Sequence, residues 1–286
     1  MSGAADSANP DLVPRRRRSL RPRGGGILIA LASTAAVFTV LGFVIVNAPG
    51  WREVQRAFFD PEVFLDVLPD TTRAFFANVR IFLSAEVLIL VFALVLAVMR
   101  SLPGPAFFPF RVMAVIYIDF FRGVPGILVI FLLGIGVPAL QLPGVTTDVF
   151  VWGLVALVLV WTAYVAEVYR AGIDGVHPSQ EAAARSLGLS RFQALRFVVL
   201  PQAVRRVIPA LLNDFIGLQK DSALVSFLGV VEAFRRAQIE ATSSFNLTPY
   251  LVTALFFLAI TIPLARLVDY LVARDRGRQL AGRSAR

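Results

Sequence analysis

From residue 27 onwards, long apolar runs alternate with short polar connections. Ile27 to Val46 carries no charge over twenty residues, enough for about 30 Å of helix, the thickness of a bilayer's hydrocarbon core. It stops at Asn47-Ala48-Pro49-Gly50. A cleavable signal peptide would also set arginines before an apolar run, but this run exceeds a usual signal core and shows no obvious small-residue cleavage site. Residues 51–80 mix acids with arginines and include an amphipathic piece, Trp51 to Phe59, suited to a membrane interface. A second run, Ile81 to Met99, closes on Arg100 and a Pro103-Gly104-Pro105 turn. The third, about Val112 to Leu140, is long, and Gly123 and Pro125 predict a kink within it. Phe150 to Ala166, Val204 to Val231 and Tyr250 to about Val272 complete the series, the fifth interrupted by Pro209, Gly217 and Lys220-Asp221. The pattern predicts an all-α, polytopic transmembrane helix bundle of about six spans, with both termini on one side.

Composition agrees: 57% of residues are hydrophobic and 16% charged, with a mean hydropathy of +0.73, outside the balance of a soluble domain. The net charge of +9 would suggest nucleic acid only if the basic residues formed one surface. Instead they sit between apolar runs. Six arginines precede the first run, two lie at positions 100 and 111, six between 170 and 206, and five after residue 273. All four groups fall on one side of the predicted alternation, which by the positive-inside rule is the cytoplasmic side of the plasma membrane. Residues 1–26 read as a disordered basic tail, and 273–286 as a second basic tail. There is no cysteine, and His177 is the single histidine, so a thiolate site is excluded and a histidine triad has no material beyond that residue. Lys220 is the single lysine and follows Gln219 rather than Gly, so the chain has no P-loop for ATP.

One stretch breaks the pattern. "EAAARSLGLSRFQALRFVVLP", residues 181–201, is polar and helix-prone between apolar runs. Ser179 is placed to cap a first helix, Glu181 lies in its first turn, Ala182 to Ala184 favour helix, and Gly188 supplies a left-handed stop. Ser190 and Gln193 form a capping box for a second helix, which Pro201 is expected to interrupt. So short a first helix needs a surface to dock on, and Leu187, Leu189, Phe192 and Leu195 are available to hold it to its own protein. A DNA-binding helix-turn-helix has similar local sequence, but this unit is tied to spans at both ends and lacks a third helix.

The stretch resembles the EAA loop of ABC-transporter permeases: Glu-Ala-Ala, three residues, Gly, nine residues, an aliphatic, one residue, Leu-Pro. Ala183, Ala184, Gly188, Val198, Leu200 and Pro201 match at that spacing. The spacing puts the signature Glu at Ala182, whereas the carboxylate here is Glu181, about 100° away on a helix. "FFRGVP" (120–125), "TAYVAEVYRAGI" (162–173), "LPQAVRRVIPALLNDFI" (200–216) and "KDSALVSFLGVVE" (220–232) resemble blocks of the polar amino-acid uptake subfamily. The resemblance implies a five-span permease domain over 75–272 with a coupling loop at 174–201, preceded by an extra span at 27–46 and an extracytoplasmic segment at 47–74. It further implies a second permease subunit, same or related, a pair of ABC ATPase subunits that hold ATP and Mg²⁺, and an extracellular solute-binding protein. No cofactor and no covalent chemistry are implied on this chain.

Charges within spans are expensive and mark pairing or a path. Glu86, Asp119, Lys220 and Asp221 are substrate-path candidates, since an amino acid carries charges of both signs; Arg122, Glu167 and Arg170 are read as structural pairing between helices. The competing reading is a self-contained secondary transporter or channel using those charges as an ion relay.

Overall fold

A computed structural model describes residues 24–102 and 104–284, with side chains over 26–102 and 104–274. The described residues form helices joined by turns and short loops, without strands. Most of the expected N-terminal tail, residues 1–23, lies outside them. The chain divides into two units meeting at Val54 and Gln55. In the first, α1 (Gly24–Val46) is apolar on all sides and ends at the turn around Gly50.

The second unit begins within α2 (Trp51–Phe58) and continues with α3 (Pro61–Ser101). The boundary expected at residue 75 is not a structural break. Asp60 caps α3 by accepting from Glu62 N (3.0 Å) and Val63 N (3.3 Å), and the helix runs 41 residues through Pro69, roughly 60 Å. Then come α4 (Phe108–Gly123), α5 (Gly126–Phe131), a π-turn (Leu132–Gly136) and α6 (Val137–Ala139). The kink expected at Gly123 and Pro125 is a 101° bend. Proline disfavours helical geometry in its predecessor, and Val124 is extended (φ −92°, ψ 131°). Four stretches of the described residues are long and apolar enough to cross a bilayer, and the bent pair makes a fifth.

α7 (Val149–Asp174) packs along α3. Ile81, Ala85, Ile89 and Ala93, one stripe of α3, join Ala156, Ala163 and Ala166 of α7 in one core. Small residues let the two backbones approach, which drives association in a bilayer where the hydrophobic effect between helices is weak. The short helices α8 (Pro178–Ser186) and α9 (Arg191–Ala194) follow, then a π-turn (Leu195–Val199) into α10 (Leu200–Asp221). α10 corresponds to the expected fifth span, but Arg205, Arg206, Asn213, Asp214 and Lys220 make it too polar to rank with the apolar stretches. The expected break at Lys220-Asp221 is present as the change from α10 to a 3-10 segment, Ser222–Leu228, ended by left-handed Gly229 (φ 88°).

α11 (Ala233–Ser244) has no counterpart among the predicted elements, being too polar for a span. Its Ala233, Ala237 and Ala241 form a buried stripe against α3 and α12 (Thr248–Ser284). α12 carries the helix past Val272 into the expected C-terminal tail, whose arginine side chains beyond 274 lie outside the described set.

The second unit is tied by a buried polar hub. Asn78 of α3 donates from Nδ2 to Glu232 Oε2 (2.8 Å) and Ser222 Oγ (3.1 Å), and its Oδ1 accepts from Ala233 N (3.0 Å). Glu232 also accepts from Phe234 N (2.9 Å) and Arg235 N (2.7 Å), capping α11. Asn78, Ser222 and Glu232 are each 0% exposed. Removing one partner of a buried charge exposes the full desolvation penalty. Asn78→Ala is expected to destabilise by about 2–3 kcal/mol, read as a lower thermal midpoint of the detergent-solubilised protein, with Asn78→Asp worse because it sets two carboxylates together. Gly217→Ala should cost about 1–3 kcal/mol, because a Cβ there would meet the Trp161 ring; the same measurement checks it.

Candidate functional site

Two regions carry the residues expected to function. The first is the unit of α8 and α9. Its N-cap is His177, not Ser179: the imidazole Nδ1 accepts from Ser179 N (3.2 Å). Pro178, with a preset φ and no N–H, occupies the first helical position, which moves the cap one residue earlier than the sequence suggests. Gly188 is left-handed (φ 88°), as expected. Ser190 and Gln193 make both capping-box bonds, at 3.2 and 2.8 Å.

Pro201 does not interrupt the second helix. The π-turn Leu195–Val199 lies immediately before it, and the chain enters α10 through Leu200-Pro201 without a break. Proline lacks an N–H and crowds the carbonyl four residues back, Phe197; a widened turn there removes that conflict. α8 is held on one side only. Ala184 and Ala194 are buried, and Val176, Val199 and Ala203 form a small core beneath. The apolar residues expected to hold the unit down mostly do not: Leu187 is 86% exposed and Phe192 68%, with Leu195 also exposed and Leu189 half-buried. Ala182 and Ala183 share this open side, while Val198 is half-buried and Leu200 and Pro201 are exposed. Glu181 lies 3.8 Å from Arg191 Nε, a loose pair between the two short helices.

The second region is the set of charges on the long helices. Arg100 of α3 is paired with Glu167 of α7, which also takes Arg170 (2.7 Å), and Arg170 reaches Asp174 (2.6 Å). Glu167 therefore pairs between helices, with Arg100, whereas both partners of Arg170 lie on its own helix α7. Arg122 makes no ion pair among the described residues; its guanidinium lies 5.7 Å from the Tyr164 ring centroid. Asp119 is exposed on α4. Glu86 is half-buried, and α10 carries Asp214, a carboxylate the sequence reading passed over, whose Oδ2 is buried without a partner. Asp221 accepts from Trp161 Nε1 (3.2 Å), while Lys220 is exposed. The four path candidates come from three helices: Lys220 and Asp221 from the end of α10, Glu86 from α3 and Asp119 from α4.

Residues 89–277 match the family model described as the binding-protein-dependent transport system inner membrane component. The chain is 35% identical to the probable amino-acid ABC transporter permease protein PatM of Vibrio harveyi over 73% of its own length and 92% of that protein's. It is 36% identical to the probable glutamine ABC transporter permease protein GlnM of Bacillus subtilis (strain 168), covering 64% of this chain and 83% of that one. Among solved structures, the crystal structure of an amino acid ABC transporter with histidines superposes with a TM-score of 0.68 at 30% identity, over 75% of this chain and 98% of that one. A helical bundle with an open, singly anchored helix pair, matched over two thirds of its length, thus belongs to the family of inner-membrane permease components of binding-protein-dependent ABC transport systems.

Proposed function

We propose that this chain is the permease subunit of an ATP-driven importer of polar amino acids, lining the path and transmitting to it the work of a separate ATPase pair. The observation that carries the reading is the exposed apolar side of α8 and α9. Ala182, Ala183, Leu187 and Phe192 stand open at the end of an otherwise apolar, membrane-spanning bundle. A helix of nine residues is not stable alone. Alanine at the surface lets a groove close over it, and the flanking Leu and Phe supply buried anchors once covered.

On this reading α8 is the coupling helix, with Ala182 to Ala184 as contact face and Gly188 fixing the turn. Glu181 lies beside Arg191 of α9, while Val198, Leu200 and Pro201 join the pair to α10. A solute-binding protein delivers the amino acid outside, two permease subunits enclose the path, and ATP with Mg²⁺ is held on the ATPase subunits. ATP binding closes that pair and draws the coupling helices together, opening the path outward; hydrolysis resets it. Glu86, Asp119, Lys220 and Asp221 contribute to the path. The arginine distribution supports a chain in the plasma membrane with both termini in the cytoplasm.

The test is to purify the tagged chain from its native membrane in mild detergent and identify its companions by mass spectrometry. An ATPase subunit and a permease, this chain or a related one, are expected. Ala183→Trp should fill the contact face and weaken ATPase retention roughly thirtyfold, the scale of a 2 kcal/mol hot spot, with ATP-driven uptake falling in step. Retention unchanged in that variant, or uptake that persists without any ATPase, would sink the coupling reading. Gly188→Ala should lower uptake less steeply, because it strains a left-handed turn by about 1 kcal/mol without blocking the face; uptake by membrane vesicles checks the ranking.

A further inference from the structure

Between α3, α4 and α7 lies a groove that the family match does not account for. Leu88, Phe92 and Val95 of α3, Tyr117 of α4, and Val155 and Leu159 of α7 line a cavity of about 340 Å³ whose surface is almost wholly apolar. The Tyr117 hydroxyl is spent on Leu159 O (2.8 Å), and Thr162 Oγ1 is buried. Leu88, Phe92 and Val95 are themselves exposed, so the groove opens sideways rather than into the core. Its level follows from α3. From Leu88 to the C-cap Leu102 is roughly 21 Å of helix, and one leaflet supplies about 15 Å of hydrocarbon. The groove therefore runs from the middle of the bilayer toward the surface at which α3 ends.

That end is charged. Val95 and Leu102 are two turns apart and share one face of α3. The Leu102 carbonyl accepts from Arg111 Nη1 (2.7 Å), as does Gly104 O (2.9 Å). Both bonds leave from one nitrogen, so Nε and Nη2 keep their N–H donors, and Arg111 has no ion pair among the described residues. Arg100 and Arg170 share Glu167, and Arg170 also takes Asp174. Three arginines are thus set against two carboxylates, and the unanswered cation is Arg111, half-buried with its guanidinium 5.9 Å from the Phe108 ring centroid.

Within a bilayer such a groove does not stay empty, because a void forfeits the dispersion contacts of its lining. Filling it does not choose among lipids, whose tails are all as apolar as leucine. Selection has to come from the head. We propose that the groove is a site for one anionic phospholipid of the leaflet on the Arg111 side, its acyl chain between α3 and α7 and its phosphate on the free donors of Arg111. An apolar span of a second permease copy would fill the same space but bring no anion to Arg111, which decides for the lipid.

The experiment takes the full-length chain, purified with the subunits that accompany it, into micelles holding equal amounts of phosphatidylglycerol and phosphatidylcholine. Native mass spectrometry then reads bound lipid and subunit count together. Wild type is expected to retain phosphatidylglycerol about fivefold over phosphatidylcholine, the scale of about 1 kcal/mol for one arginine at an anionic headgroup. Arg111→Gln, which keeps a donor for Leu102 O, should bring that ratio close to one, and Arg111→Lys should restore most of it. Val95→Trp, on the exposed rim, should fill the groove and lower retention of both lipids while the subunits stay together. No preference in wild type, a preference unchanged by Arg111→Gln, or retention unchanged by Val95→Trp would each overturn the assignment. Loss of a permease subunit in Val95→Trp, with lipid retention kept, would overturn it in favour of a contact between copies.

Discussion

The Glu232 carboxylate, wholly removed from solvent, sets the terms for the rest of the bundle. A buried acid is tolerable only when both its oxygens find donors, and here there are three: Asn78 on the long helix α3 and two backbone amides at the start of α11. Satisfying it fixes where α11 begins and at which level of α3 it docks. Ser222, bonded to the same Asn78, brings in the end of α10. In a bilayer, where apolar contact between helices competes with equally apolar lipid, such a bond network specifies alignment in a way that interchangeable leucines do not.

The apolar helices are built around this fixed point by close approach. Alanines along α3 and α7, and every fourth residue of α11, keep the backbones near one another. Glycines do the same where a large side chain crosses: Gly217 beneath Trp161, and Gly172 beneath Val207. Charged groups within the bundle are in several cases paired, as Arg100, Glu167 and Arg170 are, or turned to an open face, as Lys220 and Arg122 are, whereas Asp214 Oδ2 is buried without a partner. That division separates the side chains that hold the bundle from those with something left to bind.

The sequence makes visible what is local. Uninterrupted apolar runs reveal α1, the later part of α3, α7 and α12, because a bilayer demands them one helix at a time. Gly188 and the Ser190–Gln193 box are legible because a left-handed turn and a capping box are completed within a few residues. What required distant partners stayed hidden. Asn78 and Glu232 are 154 positions apart, and nothing near either announces the other. Asp214 sits in a helix too polar to stand out as a span, and α11 shows only an alanine at every fourth place. The cap at His177 was concealed by Pro178, and the passage through Pro201 by the widened turn before it.

That widened turn has a mechanical meaning. Since the chain passes from α9 through Leu195–Val199 into α10 without a loop, α9 and the 22 residues of α10 form one rod, to which α8 is joined by the turn at Gly188. A rod of that length is roughly 33 Å, and a tilt of about 5° at its base displaces its tip by about 3 Å, on the order of the shifts that switch packed helices between arrangements. At that tip are Lys220 and Asp221. A small rotation imposed at one surface of the membrane would therefore arrive at the other end as a movement about as large as a hydrogen bond is long, enough to make or release one.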